Sequence, residues 1–149
     1  MALVVMAPLA GAAMMLGDVP DPVFAAGLVG PGLAIDPHED ATIAVAPVAG
    51  RLVKLKPHAF VVIDEFGRAV LVHLGIDTVT LDGDGFVVIA SEGQDIAAGD
   101  PVVRWDPLRV AKRGLSPICP VVALGASAEV IGDPASGHVA LGGALYTWD

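Results

Sequence analysis

The feature that most constrains the fold is a short segment that occurs twice. It is Ala-Pro-Leu-Ala-Gly at residues 7–11 and Ala-Pro-Val-Ala-Gly at residues 46–50, with a strand-like run on both sides of each copy. Proline fixes one φ angle and glycine accepts positive φ, so each copy predicts a tight corner between two strands. The repetition predicts a duplicated half-barrel.

Glycine and proline also exclude long helices. The chain has 18 Gly and 12 Pro in 149 residues, which leaves little room for uninterrupted helix. The apolar runs at 69–73, 86–90 and 101–105 are short, β-rich and bounded by Gly/Asp clusters. We therefore predict an all-β antiparallel sandwich or barrel with at most short helical turns. Residues 1–149 are expected to form a single domain, which 137–147 completes as a closing edge strand.

The charge balance argues against nucleic acid as a partner. Eight Lys and Arg against 17 Asp and Glu give a net charge of −9, which repels phosphate backbones and anionic lipid surfaces. A basic protein is a better partner for such a surface.

Cysteine usage and the N-terminal stretch favour the cytoplasm. Cys119 is the one cysteine, so no intramolecular disulfide and no cysteine-built metal cage can form. As a small residue in an apolar run, it is expected to be buried and inert. The uncharged stretch 1–17 is shorter than the roughly 20 residues of a spanning helix and lacks the Lys or Arg of a signal peptide. We expect a cytoplasmic protein without direct membrane insertion.

A predicted hairpin brings two histidines together. The sequence Asp-Glu-Phe-Gly at 64–67 is typical of a type I turn, and centring the hairpin there places His58 directly opposite His73. Their Cβ atoms would be about 4.5–5.5 Å apart, although a one-residue shift of register would send the rings to opposite faces. Two such imidazoles could hold one small anion or metal ion. One could accept a phosphoryl group while the other donates a hydrogen bond to its oxygens.

The histidine segments belong to a longer pattern that resembles the glucose-family enzyme IIA of the bacterial phosphotransferase system. The matching segments are His-Ala-Phe at 58–60, Val-His-Leu-Gly-Ile-Asp-Thr-Val at 72–79 and Gly-Asp-Gly-Phe at 83–86, together with 7–11, 18–25, 29–35, 92–94, 99–100 and 116–122. They follow one another in order along the chain, which makes the resemblance specific.

The resemblance implies a cytoplasmic phosphoryl carrier that needs no cofactor for the transfer. His73 would accept phosphate on Nε2 from the phosphocarrier protein HPr and pass it to a cysteine of the IIB domain of a sugar permease. His58 would stabilise the phosphoryl group and support transfer. The resemblance places Asp77 at the rim and Val23 and Phe24 in an apolar docking patch.

Other residues near the predicted site are less specific. We expect Leu71, which lies beside the histidines in the predicted hairpin, to contact partners as well. Lys54 and the pair Lys56-Pro57 depart from the family pattern, so a cation stands near the second histidine. Regulatory protein partners are also expected to share this face.

Two alternatives use similar scaffolds. A biotinyl or lipoyl carrier needs a lysine on an exposed hairpin tip, in a context that this sequence does not contain. A zinc peptidase needs three protein ligands and an open position, but the chain has four histidines and no His-x-His pair. No metal is required for the predicted transfer, although zinc held by His58, His73 and a partner's ligand stays open as a regulatory contact.

Overall fold

The computed structural model describes residues 2–149, which form mainly β-strands. Within that range no helix is long and apolar enough to cross a membrane. The all-β prediction with short helical turns is confirmed. The strands are β1 (Leu3–Met6), β2 (Gly11–Met15), β3 (Gly32–Pro37), β4 (Ile43–Val45), β5 (Gly50–Lys56), β6 (Ala59–Ile63), β7 (Ala69–His73), β8 (Phe86–Val88), β9 (Asp95–Ile96), β10 (Pro101–Trp105), β11 (Cys119–Ala123), β12 (Ile131–Gly132), β13 (Gly137–Val139) and β14 (Ala144–Trp148); the helices are α1 (Pro22–Ala25) and α2 (Pro107–Lys112), with 3-10 turns at Leu16–Asp18, Thr78–Leu81 and Ala128–Val130.

The strands form one large and two small antiparallel sheets. The eight-stranded sheet has the order β13-β2-β3-β11-β7-β6-β5-β9, and the three-stranded sheets are β1-β14-β12 and β4-β10-β8. Residues alternate between buried and partly exposed along β6 and β7, with Phe60 and Val72 pointing into the core. They share one apolar cluster with Trp105 and Tyr146 of the small sheets. Full burial of a Val or Phe side chain such as Val72 or Phe60 stabilises the fold by about 1.5–3 kcal/mol.

The two Ala-Pro-x-Ala-Gly segments form equivalent corners that bond to each other. The N–H of Met6 donates to Pro47 O at 3.0 Å, and the N–H of Val45 donates to Pro8 O at 2.9 Å. In each bond, the residue just before one copy donates to the proline of the other copy. The predicted duplication is therefore visible in the hydrogen bonding as well as in the sequence.

The last residue of each corner must be glycine because the neighbouring strand passes too close. A Cβ on Gly11 would overlap the backbone oxygen of Asp36, and one on Gly50 would overlap the backbone oxygen of Ile63. The same backbone approach occurs in both halves, so the repeated glycine has a steric cause.

The C-terminal segment differs from its prediction as one edge strand. A turn at residues 140–143, closed by a 2.9 Å bond from Gly143 N to Ala140 O, divides it. Strand β13 lies at the edge of the eight-stranded sheet, but β14 lies between β1 and β12 at the centre of a small sheet. Tyr146 of β14 is fully buried and donates to Val121 O at 3.0 Å, which links the two layers.

Gly11→Ala and Gly50→Ala should each lower the free energy of unfolding by about 1–3 kcal/mol, the usual cost of forcing extra atoms into a packed site. Gly17→Ala is the matched control, since a Cβ there meets nothing within 4 Å, and should change stability by less than about 0.5 kcal/mol. Urea unfolding of the three variants measures this. Equal stability of all three would contradict the steric account of the repeat.

Candidate active site

The hairpin that carries His73 has a register one residue away from the predicted one. Strand β6 pairs with β7 so that Ala59, not His58, lies opposite His73. The predicted direct pairing is therefore wrong. The cause is the turn, in which Asp64 Oδ1 accepts from Phe66 N at 3.0 Å and from Arg68 N at 2.8 Å, while Gly67 adopts a φ of 85°. A type I turn followed by a left-handed glycine makes the loop one residue longer than the predicted turn.

The two imidazoles are nevertheless adjacent. Their ring centroids are 5.3 Å apart, with an angle of 73° between the ring planes. His58 lies outside β6, in the two-residue turn that joins Lys56 to Ala59, so its side chain is not bound by the alternation of a strand. A 2.7 Å bond from Leu74 N to His58 O holds this turn against the end of β7.

The backbone fixes which nitrogen of His73 is free. Its Nδ1 lies 2.6 Å from the carbonyl oxygen of Gly75. A carbonyl can only accept, so Nδ1 carries the hydrogen and, in the neutral ring, Nε2 keeps its lone pair. The side chain of His73 is thus oriented with a nucleophilic nitrogen directed away from its backbone partner.

The position of that carbonyl depends on a tightly packed loop. Gly75 has a φ of 82°, and a Cβ on it would lie 2.6 Å from Cγ2 of Thr78 and 3.0 Å from Ser116 O. Thr78 is fully buried, and its hydroxyl donates to Leu74 O at 2.7 Å. The N–H of Ile76 donates to Ser116 O at 2.9 Å. These contacts allow the loop after β7 little freedom.

Burial keeps both rings neutral. It is the main reason that the pKa of His73 lies below its ordinary value of 6.5, against opposing contributions from the Gly75 carbonyl and the carboxylates of Asp21 and Asp77. Burial also dominates the lowered pKa of His58, followed by repulsion from His73 and Lys56. At pH 7 both imidazoles therefore have a free lone pair.

An apolar cluster lies beside His73. The ring of Phe24 meets the His73 ring edge-on, with centroids 5.3 Å apart. Phe24 is only 8% exposed, whereas its neighbour Val23 is 48% exposed and Leu71 is half-buried. The buried members of this outer cluster are Leu16, Val19, Phe24, Ala34, Ile76 and Val122. The structure therefore brings Phe24 to the site mainly as packing and leaves Val23 on the surface.

Sequence reasoning missed Asp21. Its side chain caps α1 by accepting from Val23 N at 2.8 Å, and its charge acts on His73. An Asp directly before a Pro is a typical helix start, so the signal was present. Its proximity to His73 follows from tertiary structure and could not be found from spacing.

Other predicted residues lie at or outside this site. Asp77 is exposed, with a left-handed φ of 59°, and Lys54 and Lys56 are exposed on β5. Cys119 is fully buried, which raises the pKa of its thiol to about 12 and makes it a poor nucleophile. Among residues 2–149, no three His, Cys, Asp or Glu side chains are grouped so that they could hold a metal ion.

The comparisons with known proteins match this fold and assign the chain to a family. The family model for the "phosphoenolpyruvate-dependent sugar phosphotransferase system, EIIA 1" matches residues 3–128. The chain belongs to this family. It is 40% identical over 120 residues to a glucose-specific EIIA component of Bacillus cereus, covering 79% of this chain and 72% of that protein.

A longer relative and a solved structure also match the EIIA family. The chain is 42% identical over 127 residues to a glucose-specific EIIBCA component of Corynebacterium glutamicum, a match that covers 84% of this chain. The chain spans 19% of the length of that relative. The glucose permease IIA from Mycoplasma capricolum superposes with a TM-score of 0.92 at 34% identity, covering 99% of this chain and 96% of that one. The β-sandwich of the EIIA family is thereby confirmed.

We expect His58 and His73 to titrate below pH 6.5 in an NMR experiment on the ring signals, because burial disfavours the charged rings. His73→Gln should raise the pKa of His58 by removing one of the causes of its depression. The two histidines take up protons at a higher pH in the unfolded chain than in the folded protein. Their contribution to the stability of the fold is therefore complete above pH 6.5. It falls as the pH drops below that value. Ordinary or raised pKa values in the folded protein would contradict this description.

Proposed function

We propose that the protein carries a phosphoryl group on Nε2 of His73 within a sugar phosphotransferase system. It accepts the group from phosphorylated HPr and passes it to a cysteine on the IIB domain of a sugar permease. The observation that carries the proposal is the 2.6 Å contact between His73 Nδ1 and Gly75 O, which leaves Nε2 as a free, half-buried nucleophile beside a second imidazole.

The transfer needs no separate base. The lone pair of Nε2 attacks phosphorus, an N–P bond forms, and the bond to the donor's nitrogen breaks with its electron pair returning to the donor. The phosphorylated ring keeps its hydrogen on Nδ1 and becomes positively charged. The Gly75 carbonyl and the charges of Asp21 and Asp77, which favour a positive His73 ring, stabilise that form.

His58 supplies the second contact to the phosphoryl group. Its ring is close to that of His73, and its lowered pKa keeps it neutral, with one N–H and one free nitrogen. The N–H can donate to a phosphoryl oxygen, and a donor already in position stabilises the developing charge without reorganisation. Its charge-neutral state also avoids repulsion with the phosphorylated ring.

The surface around His73 suits docking of a partner. Val23 is exposed over the outer cluster, Leu71 lies half-buried beside it, and Asp77 is exposed at the rim. An apolar centre with acidic groups at its edge favours a partner that has apolar and basic residues in its own contact face. We assign partner binding to these three residues and treat Phe24 as the support beneath them.

The relatives' names support partners from the same system. The Corynebacterium relatives are named as EIIBCA components for glucose and for mannose, so B, C and A parts occur together in one component there. We propose that this chain acts with HPr and a IIB domain during sugar uptake, in the cytoplasm. Regulatory partners would use the same face.

His73→Ala should abolish phosphorylation, because the accepting nitrogen is lost. The protein is incubated with phosphoenolpyruvate, enzyme I and HPr, and intact mass detects one acid-labile phosphoryl group per chain. His138→Ala, which removes an exposed histidine elsewhere, is the matched control and should be labelled normally. Full labelling of the His73 variant would refute the assignment.

His58→Gln should still be loaded on His73 but should deliver the group slowly. Loss of one positioned donor to a transferring group costs about 10²–10³-fold in rate at comparable sites. Single-turnover transfer from the phosphorylated variant to a IIB domain measures this. Transfer at the wild-type rate would remove His58 from the mechanism.

A further inference from the structure

A second pair of histidines meets outside the proposed phosphoryl site. The Nε2 atoms of His38 and His138 are 2.7 Å apart, although the residues are separated by 100 positions in the sequence. Their ring centroids lie 4.8 Å apart, and both side chains are exposed. Neither residue contributes to the transfer proposed above.

The backbone of the eight-stranded sheet holds both residues. His138 lies in edge strand β13, where it pairs with Ala12 of β2. His38 directly follows β3, and its N–H donates to Ala10 O at 3.1 Å. Strand β2 runs between them, and its small residues at this point allow the two imidazoles to meet above it. The backbone therefore fixes the attachment points of both side chains.

In this contact the two Nε2 atoms are directed at each other. At 2.7 Å one Nε2 carries a hydrogen and donates it to the lone pair of the other. Imidazole nitrogen is the ligand that Zn²⁺, Ni²⁺ and Cu²⁺ prefer among nitrogen donors of proteins, and a metal ion can take the place of the shared hydrogen. Two Zn–N bonds of about 2.0–2.1 Å need the nitrogens about 3.3 Å apart, a small rotation for exposed rings.

The local charge favours a cation. Asp36 stands in the same cross-strand row as His138, because both pair with Ala12. Glu39 and Asp40 follow His38 and are exposed, and the whole chain has a net charge of −9. A negative field of this kind raises the local concentration of divalent cations.

We propose that His38 and His138 form a surface site for one divalent transition-metal ion of the zinc class, at the edge of the eight-stranded sheet. The two imidazoles are its protein ligands, and water or a donor from a second protein fills the other positions. With two ligands the ion is exchangeable and is not required for folding. The site is independent of the phosphoryl transfer at His73.

The test is a titration with zinc chloride followed by NMR signals of the histidine rings. It is run on the wild type and on a His58→Gln/His73→Gln double variant, in which the only other adjacent histidine pair of residues 2–149 is removed. We expect saturable shifts of the His38 and His138 signals at one ion per chain in both proteins. Calorimetry on the double variant gives the affinity.

His38→Gln and His138→Gln are the matched variants, since glutamine can keep a side-chain hydrogen bond but is a poor zinc ligand. Each should weaken zinc binding at this edge at least about tenfold, no less than the loss for supporting residues of metal sites. Phosphorylation of His73 should be unchanged in both. Zinc shifts confined to His58 and His73, or affinity that survives both substitutions, would overturn the proposal.

Discussion

The hydrogen bond from His73 Nδ1 to the Gly75 carbonyl is the contact on which the proposed function depends. It decides which nitrogen is free, it orients the ring, and it would meet the positive charge that the proposed phosphorylation of Nε2 creates. A ring that could rotate or exchange its hydrogen between nitrogens would present a reactive nitrogen only part of the time. The rest of the site keeps this one bond in place.

The fold supplies the necessary rigidity through duplication. Two equivalent Pro-Gly corners bond to each other, and the sheet that leads from them carries β6 and β7 side by side. The loop after His73 is then fixed from three sides, by buried Thr78, by Ser116 and by the packing of Ile76 in the outer cluster. Burial that holds the loop also lowers the pKa of His73, so one packing arrangement fixes the position of the ring and keeps it neutral.

The sequence predicted what is encoded locally. The repeated corners and the short strands follow from proline, glycine and apolar patterning, and the family resemblance follows from segments such as 72–79. The register of the hairpin did not follow, because one bulge glycine at position 67 shifts every pair. The proximity of Asp21 to His73 and of His38 to His138 depends on tertiary contacts between distant segments, so no spacing rule could reveal it.

The most direct test of the central claim is the position of hydrogen and phosphorus on the His73 ring. Long-range ¹H–¹⁵N NMR of the uniformly ¹⁵N-labelled protein at neutral pH should show a neutral ring with its hydrogen on Nδ1. After phosphorylation, ³¹P coupling should appear at Nε2 of His73. A hydrogen on Nε2 in the free protein, or phosphorus on Nδ1 or on another histidine, would contradict the account.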